Sequence, residues 1–468
     1  MDIADFRHQA HQLVDWMADY LENVQRYPVS PQVQPGDILA QLPAQAPESG
    51  EDFAAIFQDF EQLILPGMTH WQHPRFFAYF PASTSPPSLL GEMLMATLGA
   101  QCMSWLTSPA ATELEQQVMH WLRQAIELPD TFTGVIQDSA SSATLCALLC
   151  AREQKSAINQ QGFSQQRFRV YASTEAHASI EKAVRIAGLG SDNLVKIPVD
   201  SHFALNVDAL REAIAADRAA GFTPLCVVAA WGTTSSTALD PLADLADLCQ
   251  SEKLWFHVDA AYAGSAFILP EHRRLARGLE RADSVVFNPH KWLRTHFDCS
   301  AYFVRDTAML THTLGLTPEY LKTDLDRQVH NYRDWGVPLG RRFRALKLWF
   351  VLRSYGLAEL RQQLRQQIQW VQELSQQIQA HPDFEVLAPV PLNLVCFRFA
   401  PCTRDASDYE ALNQALLQRL NHSGEVFMTH TRLAGTYCLR LVAGNPNTRA
   451  EDVQMAWRFI QATARDVL

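Results

Sequence analysis

Between residues 134 and 304 the chain alternates short apolar runs with helical stretches, a pattern that few architectures accept. The runs are GVIQ (134–137), FRVYAS (168–173), NLVKIPV (193–199), LCVVAAW (225–231), LWFHVD (254–259), SVVFN (284–288) and SAYFV (300–304). Apolar strands bounded by helices read as a parallel sheet covered on both faces. Seven of them predict a three-layer α/β domain.

The rest of the chain is organised around that block. At 468 residues it is too long for one hydrophobic core. Residues 5–24 place Phe6, Leu13, Met17 and Leu21 near one helical stripe. Such a stripe must cover something, either the chain's own large domain or a partner subunit. Pro28, Pro31 and Pro35 then interrupt regular structure before a second helical pattern at 51–65. Residues 341–381 are helical and amphipathic, and 385–468 mix short strands with helices. Three segments are expected: an N-terminal helical arm (1–85), a large domain (86–345) and a small α+β domain (346–468).

A formal charge of −11 and a pI near 5.8 argue against a nucleic-acid partner, which favours a basic face. The polar start, MDIADFRHQAHQ, lacks the apolar core of a signal peptide. No apolar run approaches the roughly 20 residues that span a bilayer, so no membrane partner is expected. Nine scattered cysteines without a CxxC pair suit reduced thiols in the cytoplasm. Cys146 and Cys150 lie four apart in an apolar helical stretch and read as core packing, and no metal is expected.

In open α/β sheets ligands bind beyond the carboxyl ends of strands, and four of the runs place polar groups there. Asp259 ends LWFHVD; Pro289, His290 and Lys291 follow SVVFN; Gly232, Thr233 and Thr234 follow LCVVAAW; His177 comes shortly after FRVYAS. Lys291 is flanked by Phe287, Trp292, Leu293 and Phe297. An apolar setting favours the neutral amine, which attacks aldehydes, whereas alone the lysine reads as one that snorkels to the surface. Asp259 is either a helix N-cap or a carboxylate for a protonated ring nitrogen. GVIQDSASSATLCALL has the shape of strand, small-residue turn and helix, which suits a phosphate on exposed N–H groups. Ser139 and Ser141 add hydroxyls and Ala140 lets the backbone come close, although Ser-rich caps are common and Asp138 would oppose a phosphate if it pointed inward. His177 on its own reads as a cap or surface residue.

These segments carry a resemblance. NPHKW (288–292), with HVDAAYAGSAF (257–267) before it, resembles the group II pyridoxal-phosphate-dependent decarboxylases, and within them the aromatic-L-amino-acid decarboxylases. The likeness extends from THWQHPRFFAYFP (69–81) and SPAATELE (108–115) to PLGRRFRALKLWFVLRSYG (338–356). It implies a type I, aspartate-aminotransferase-like fold with a mostly parallel seven-stranded large domain. It further implies a homodimer with exchanged N-terminal helices and shared active sites. By position, Lys291 would hold pyridoxal 5'-phosphate, Asp259 would pair with its ring nitrogen, and His177 would stack on the ring and orient the substrate carboxylate. Ala140, Ser141 and Asn288 would bind the phosphate, His290 would lie near it, and Thr234 would sit beside the ring. Tyr320, in LTPEYLKTD, matches the tyrosine of a mobile loop that returns a proton to the substrate's α-carbon.

The same likeness suggests the substrate. Gly340 stands where relatives acting on histidine or tyrosine often carry serine, and its small size leaves room for a catechol or indole. Trp71 and Phe80 match aromatic pocket walls. Ala82, Gln101 and Met103 depart from the animal enzymes, where threonine, isoleucine and phenylalanine stand, the last two donated by the partner subunit. Decarboxylation of L-DOPA, tryptophan, tyrosine or phenylalanine is the expectation. The rivals are an aldehyde synthase, which Tyr320 disfavours, and a decarboxylase of histidine or glutamate; an acidic substrate would need basic pocket residues. An aminotransferase needs different proton placement, and a scaffold without catalysis fits poorly with Lys291, Asp259, His177 and Tyr320 all present.

Overall fold

In the computed structural model, residues 1–468 are described apart from Ser164, Gln165, Thr317, Thr323 and Arg327, and apart from the side chain of Tyr320. The chain folds into two compact units. The larger comprises Ala82–Gln372 and Ala388–Val395; the smaller comprises Met1–Pro81, Glu373–Leu387 and Cys396–Leu468.

The larger unit holds all seven apolar runs as strands: β1 (Thr133–Gln137), β2 (Phe168–Ser173), β3 (Leu194–Ile197), β4 (Thr223–Ala230), β5 (Trp255–Asp259), β6 (Ser284–Phe287) and β7 (Ser300–Val304). They form one sheet in the order β1-β7-β6-β5-β4-β2-β3. Pairings among β2 to β6 are parallel, whereas β7 runs antiparallel to both β6 and β1. Every residue of β5, β6 and β7 is buried, because helices cover both faces. Cys146 and Cys150, on the helix Ala140–Lys155, lie in the core beside Val170, Val228 and Tyr302, as packing residues with free thiols.

Further along the chain the helical stretch Arg344–Gln379 breaks at Gly356, whose φ of 63° and ψ of 168° are non-helical. Close approach matters at Gly91, in the helix Pro86–Leu98. A Cβ there would lie 2.7 Å from Lys347 Cα, so only glycine lets the two helices meet.

The smaller unit carries a sheet in the order β10-β11-β9-β8, with β8 (Phe384–Val386), β9 (Leu394–Phe399), β10 (Thr429–Leu433) and β11 (Thr436–Val442). The pairs β8–β9 and β10–β11 are antiparallel. N-terminal backbone joins this unit: Val29 N–H donates to Gly424 O at 2.8 Å and Phe77 N–H to Phe427 O at 2.8 Å. The first helix, Ile3–Asn23, buries no residue. Of the expected stripe, Leu13, Met17 and Leu21 are half-buried within the chain, while Phe6 is 56% exposed. Trp16 and Tyr20 add aromatic packing against Phe57, Phe60, Tyr27 and His70. Among the described residues no helix is long and apolar enough to cross a membrane.

Candidate active site

The site is assembled at the carboxyl ends of β1, β2, β4, β5 and β6 in the larger unit. Asp259 closes β5, is 8% exposed, and accepts the Ala261 N–H on Oδ1 at 3.0 Å. Ala261 O in turn accepts the Asn288 N–H at 2.9 Å, tying the turn after β5 to the start of the lysine turn. Asn288 caps the short helix Pro289–Trp292, is buried, and accepts Ser300 Oγ–H on Oδ1 at 2.7 Å.

Lys291 lies in that short helix. Its neighbour Trp292 stacks on Tyr262 at 4.8 Å and donates Nε1–H to Gln367 at 2.6 Å, which fixes the turn from below. Phe287, Trp292 and Leu293 are buried as the apolar setting requires, but Phe297 is exposed, with its ring 4.7 Å from that of His290. A row of serines pins the same turn. Ser83 N–H donates to His290 O at 2.7 Å and its hydroxyl to Lys291 O at 2.6 Å; Ser85 Oγ–H donates to Arg294 O at 2.7 Å; Ser88 Oγ accepts the His296 N–H at 2.6 Å. Sequence reasoning missed these serines; the small polar run PASTSPPS was the available signal.

His177 caps the helix Ala178–Ile186: its Nδ1 accepts the Ser179 N–H at 3.1 Å and sits 2.7 Å from Ser179 Oγ. It is thus the cap that its position alone suggested, and it also feels the site. Burial lowers its pKa, the Asp259 carboxylate raises it and the Lys291 ammonium lowers it, so the three groups share one electrostatic neighbourhood. With Nδ1 occupied as an acceptor, the neutral ring carries its proton on Nε2, a donor for a carboxylate.

At the end of β1, Ser139 caps the helix Ala140–Lys155 by accepting the Ser142 N–H at 3.2 Å. Among the described residues no hydrogen bond takes up the N–H groups of Ala140 and Ser141, which remain available to an anion. Asp138 accepts Ser139 Oγ–H on Oδ1 at 3.1 Å.

His290 is buried. Burial first, and then the Lys291 ammonium, push its pKa down to about 3, and its Nδ1 accepts the Cys299 N–H at 2.9 Å, so it is a neutral ring with one edge committed to the backbone. Thr234 is exposed after Gly232 and Thr233. Thr233 is buried, with Oγ1 3.2 Å from Ser236 Oγ and accepting the Ala238 N–H at 3.0 Å. Glu175 hydrogen-bonds Ser235, joining the His177 turn to the Thr234 turn, and burial raises its carboxyl pKa.

Gly340 and Gln101 are neighbours in this unit, and Met103 O accepts the Arg333 N–H at 2.9 Å. Ala82, half-buried, opens the unit beside Ser83. Trp71 and Phe80 belong to the smaller unit. There Trp71 packs on Phe76 at 4.5 Å and stacks on Tyr79 at 5.8 Å, while Phe80 lies under the Arg440 guanidinium at 4.9 Å. Tyr320 stands in the turn Glu319–Leu321; its side chain, like all of Thr317, lies outside the described residues.

A family model for the pyridoxal-dependent decarboxylase conserved domain matches residues 35–400. Aromatic-L-amino-acid decarboxylase from Sus scrofa is 43% identical, the match covering 100% of this chain and 98% of that one. Phenylacetaldehyde synthase from Arabidopsis thaliana is also 43% identical, covering 100% of this chain and 98% of its own. The crystal structure of Catharanthus roseus tryptophan decarboxylase in complex with L-tryptophan superimposes with a TM-score of 0.95 at 39% identity, covering 100% of this chain and 99% of that chain.

Proposed function

The chain belongs to the pyridoxal-dependent decarboxylases, and we propose that it removes the α-carboxylate of aromatic L-amino acids, yielding arylalkylamines and carbon dioxide. The observation that carries this is the shared neighbourhood of Lys291, Asp259 and His177 at the strand ends, in a sheet whose first strand leads into a helix start with two N–H groups unclaimed among the described residues.

The residues present fit pyridoxal 5'-phosphate. The N–H groups of Ala140 and Ser141, with Asn288 close to the lysine turn, suit its phosphate; buried Asp259 suits its ring nitrogen; the Lys291 amine suits its aldehyde. When bound, the cofactor supplies an electron-accepting ring conjugated to the substrate's amino group. Asp259, its carboxylate braced by the Ala261 N–H, would hold a proton at the ring nitrogen. His177, with Nδ1 on the helix cap, would offer its Nε2–H to the substrate carboxylate and so orient the group that is lost, favouring decarboxylation over transamination. The proton returned to the α-carbon is assigned by resemblance to Tyr320. Thr234 and His290 are proposed to border the ring and the phosphate.

Aromatic substrates are supported by the family and by the absence of a side chain at Gly340. Ala82, Gln101 and Met103 are proposed as pocket residues in the larger unit, and Trp71 and Phe80 keep, by resemblance, the role of aromatic walls. We further propose a homodimer. Leu90, Met93, Leu94 and Leu98 form an exposed apolar stripe on the helix Pro86–Leu98, and stripes of that kind mark partner surfaces.

An aldehyde synthase is the second reading, because one of the similar proteins bears that activity in its name; Tyr320 favours simple decarboxylation. Specific activities on L-DOPA, tryptophan, tyrosine, phenylalanine, histidine and glutamate test the proposal. Carbon dioxide with amine from the aromatic set supports it; turnover confined to histidine or glutamate overturns it. Hydrogen peroxide in stoichiometry with carbon dioxide shifts the assignment to the synthase.

A further inference from the structure

Gly340 and Gln101 are built as a pair. A Cβ added to Gly340 would lie 3.2 Å from Gln101 Nε2, closer than side chains normally sit. Gln101 Oε1 accepts the Arg341 N–H at 2.7 Å. A backbone N–H can only donate, so this bond fixes the amide: oxygen toward Arg341, nitrogen over Gly340.

The scaffold behind the pair is stiff. Cys102 N–H donates to Arg341 O at 2.9 Å, zipping residues 101–102 to 340–341. Arg341 is itself forked onto buried Glu115. Thr107 and Ser108 hydroxyls both donate to Gln101 O, at 3.0 and 3.1 Å. Gln101 nevertheless stays exposed, and among the described residues no hydrogen bond engages Nε2. A rigidly held donor is therefore left over the space that the missing side chain opens.

We propose that Gln101 is a specificity-determining residue: its Nε2–H donates to a hydroxyl oxygen on the substrate's aromatic ring, in the room left by Gly340. The class so favoured is a phenol or catechol side chain, over unsubstituted phenyl. An indole N–H offers this donor no acceptor. This inference rests on the reading that Gln101 and Gly340 line the substrate pocket, which in a dimer is the pocket of the partner copy. A single neutral hydrogen bond sets the scale of preference at roughly 3- to 10-fold.

The experiment compares kcat/KM of the holoenzyme on L-tyrosine, L-DOPA and L-phenylalanine, for the wild type, Gln101→Met and Gly340→Ala, with bound cofactor measured by its visible absorbance. In Gln101→Met, which keeps length but loses the donor, the tyrosine-to-phenylalanine and DOPA-to-phenylalanine ratios fall roughly 3- to 10-fold. Gly340→Ala narrows the room beside Nε2 without adding a polar group and lowers the same ratios, and the double variant falls no further than either single one. Ratios that stay at the wild-type value in both variants overturn the inference. Strictly additive effects in the double variant overturn it too. A wild type inactive on every aromatic amino acid refutes instead the function on which the inference rests.

Discussion

Arg341 and Glu115, 226 residues apart in sequence, form a buried two-pronged ion pair: Nη2 lies 2.7 Å from Oε1 and Nη1 3.1 Å from Oε2. The same groups hold the middle of β1, since Ile136 N–H donates to Glu115 Oε1 at 2.9 Å and Arg341 Nη2 donates to Ile136 O at 2.8 Å. The guanidinium also lies 4.7 Å from the centre of the Tyr332 ring. One contact thus joins the SPAATELE and PLGRRF segments to the strand that leads into the helix Ala140–Lys155.

Removing one partner of this pair strands a buried charge. Glu115→Ala is expected to lower stability by about 3–5 kcal/mol, the range for an uncompensated buried ion. Denaturant unfolding measures it; a midpoint within error of the wild type refutes the pair's structural role.

Asp259→Ala removes the carboxylate proposed for the ring nitrogen. Turnover on the best aromatic substrate is expected to fall at least about 10-fold, or about 1.4 kcal/mol of barrier, and to approach abolition. Steady-state kinetics of the cofactor-loaded variant decides; near-wild-type kcat would refute the role. Borohydride reduction followed by peptide mapping is expected to label Lys291, and a label on another lysine removes the basis of the site.

A pH dependence of stability follows from His257. It is fully buried, with Nδ1 2.9 Å from Ser284 Oγ and Nε2 3.2 Å from Thr144 Oγ1. Burial holds its pKa down to about 4, whereas an unfolded histidine titrates near about 6.5. Between those values the unfolded chain takes up the proton and the folded chain does not. The His257 contribution is therefore whole above about pH 6.5 and is lost as pH falls toward about 4. The wild-type stability minus that of His257→Gln is expected to decline by up to about 1.4 kcal/mol per pH unit across that window. A flat difference would show that His257 titrates alike in both states.

Gly232 offers a steric test. Its φ is +94° and an added Cβ would lie 2.3 Å from the Ala263 Cβ. Gly232→Ala combines left-handed backbone, about 1–2 kcal/mol, with overpacking, about 1–3 kcal/mol. A clear drop in Tm is expected in calorimetry, and an unchanged Tm counts against the packing argument.

The central strands were legible because they are buried on both faces, which leaves an uninterrupted apolar run in the sequence. The edge strand β3, with exposed Lys196, carries the signal less cleanly. β7 shows where that signal stops. SAYFV reads the same whichever way the strand runs, and its antiparallel placement between β1 and β6 comes from register with both neighbours. The first helix shows a second limit. Its apolar stripe was visible, yet the ring contacts that hold the helix within the chain come from Trp16 and Tyr20, at the border of that stripe.

The strand-end residues could be named in advance because the α/β topology sends parallel strand ends to one rim. Their supports could not. Ser83 reaches the Lys291 carbonyl across 208 positions, and a serine carries no mark of the backbone group it will meet.

By itself the sequence determined the elements and their chemistry: seven apolar strands, and a lysine, a carboxylate and a histidine beyond their ends. Periodicity and residue type are local properties, and a linear chain records them fully. Tertiary structure alone decided the direction of β7, the Arg341–Glu115 fork and the amide of Gln101 set over Gly340. Each of those depends on groups brought together from distant parts of the chain, where a difference of an ångström separates a hydrogen bond from a clash.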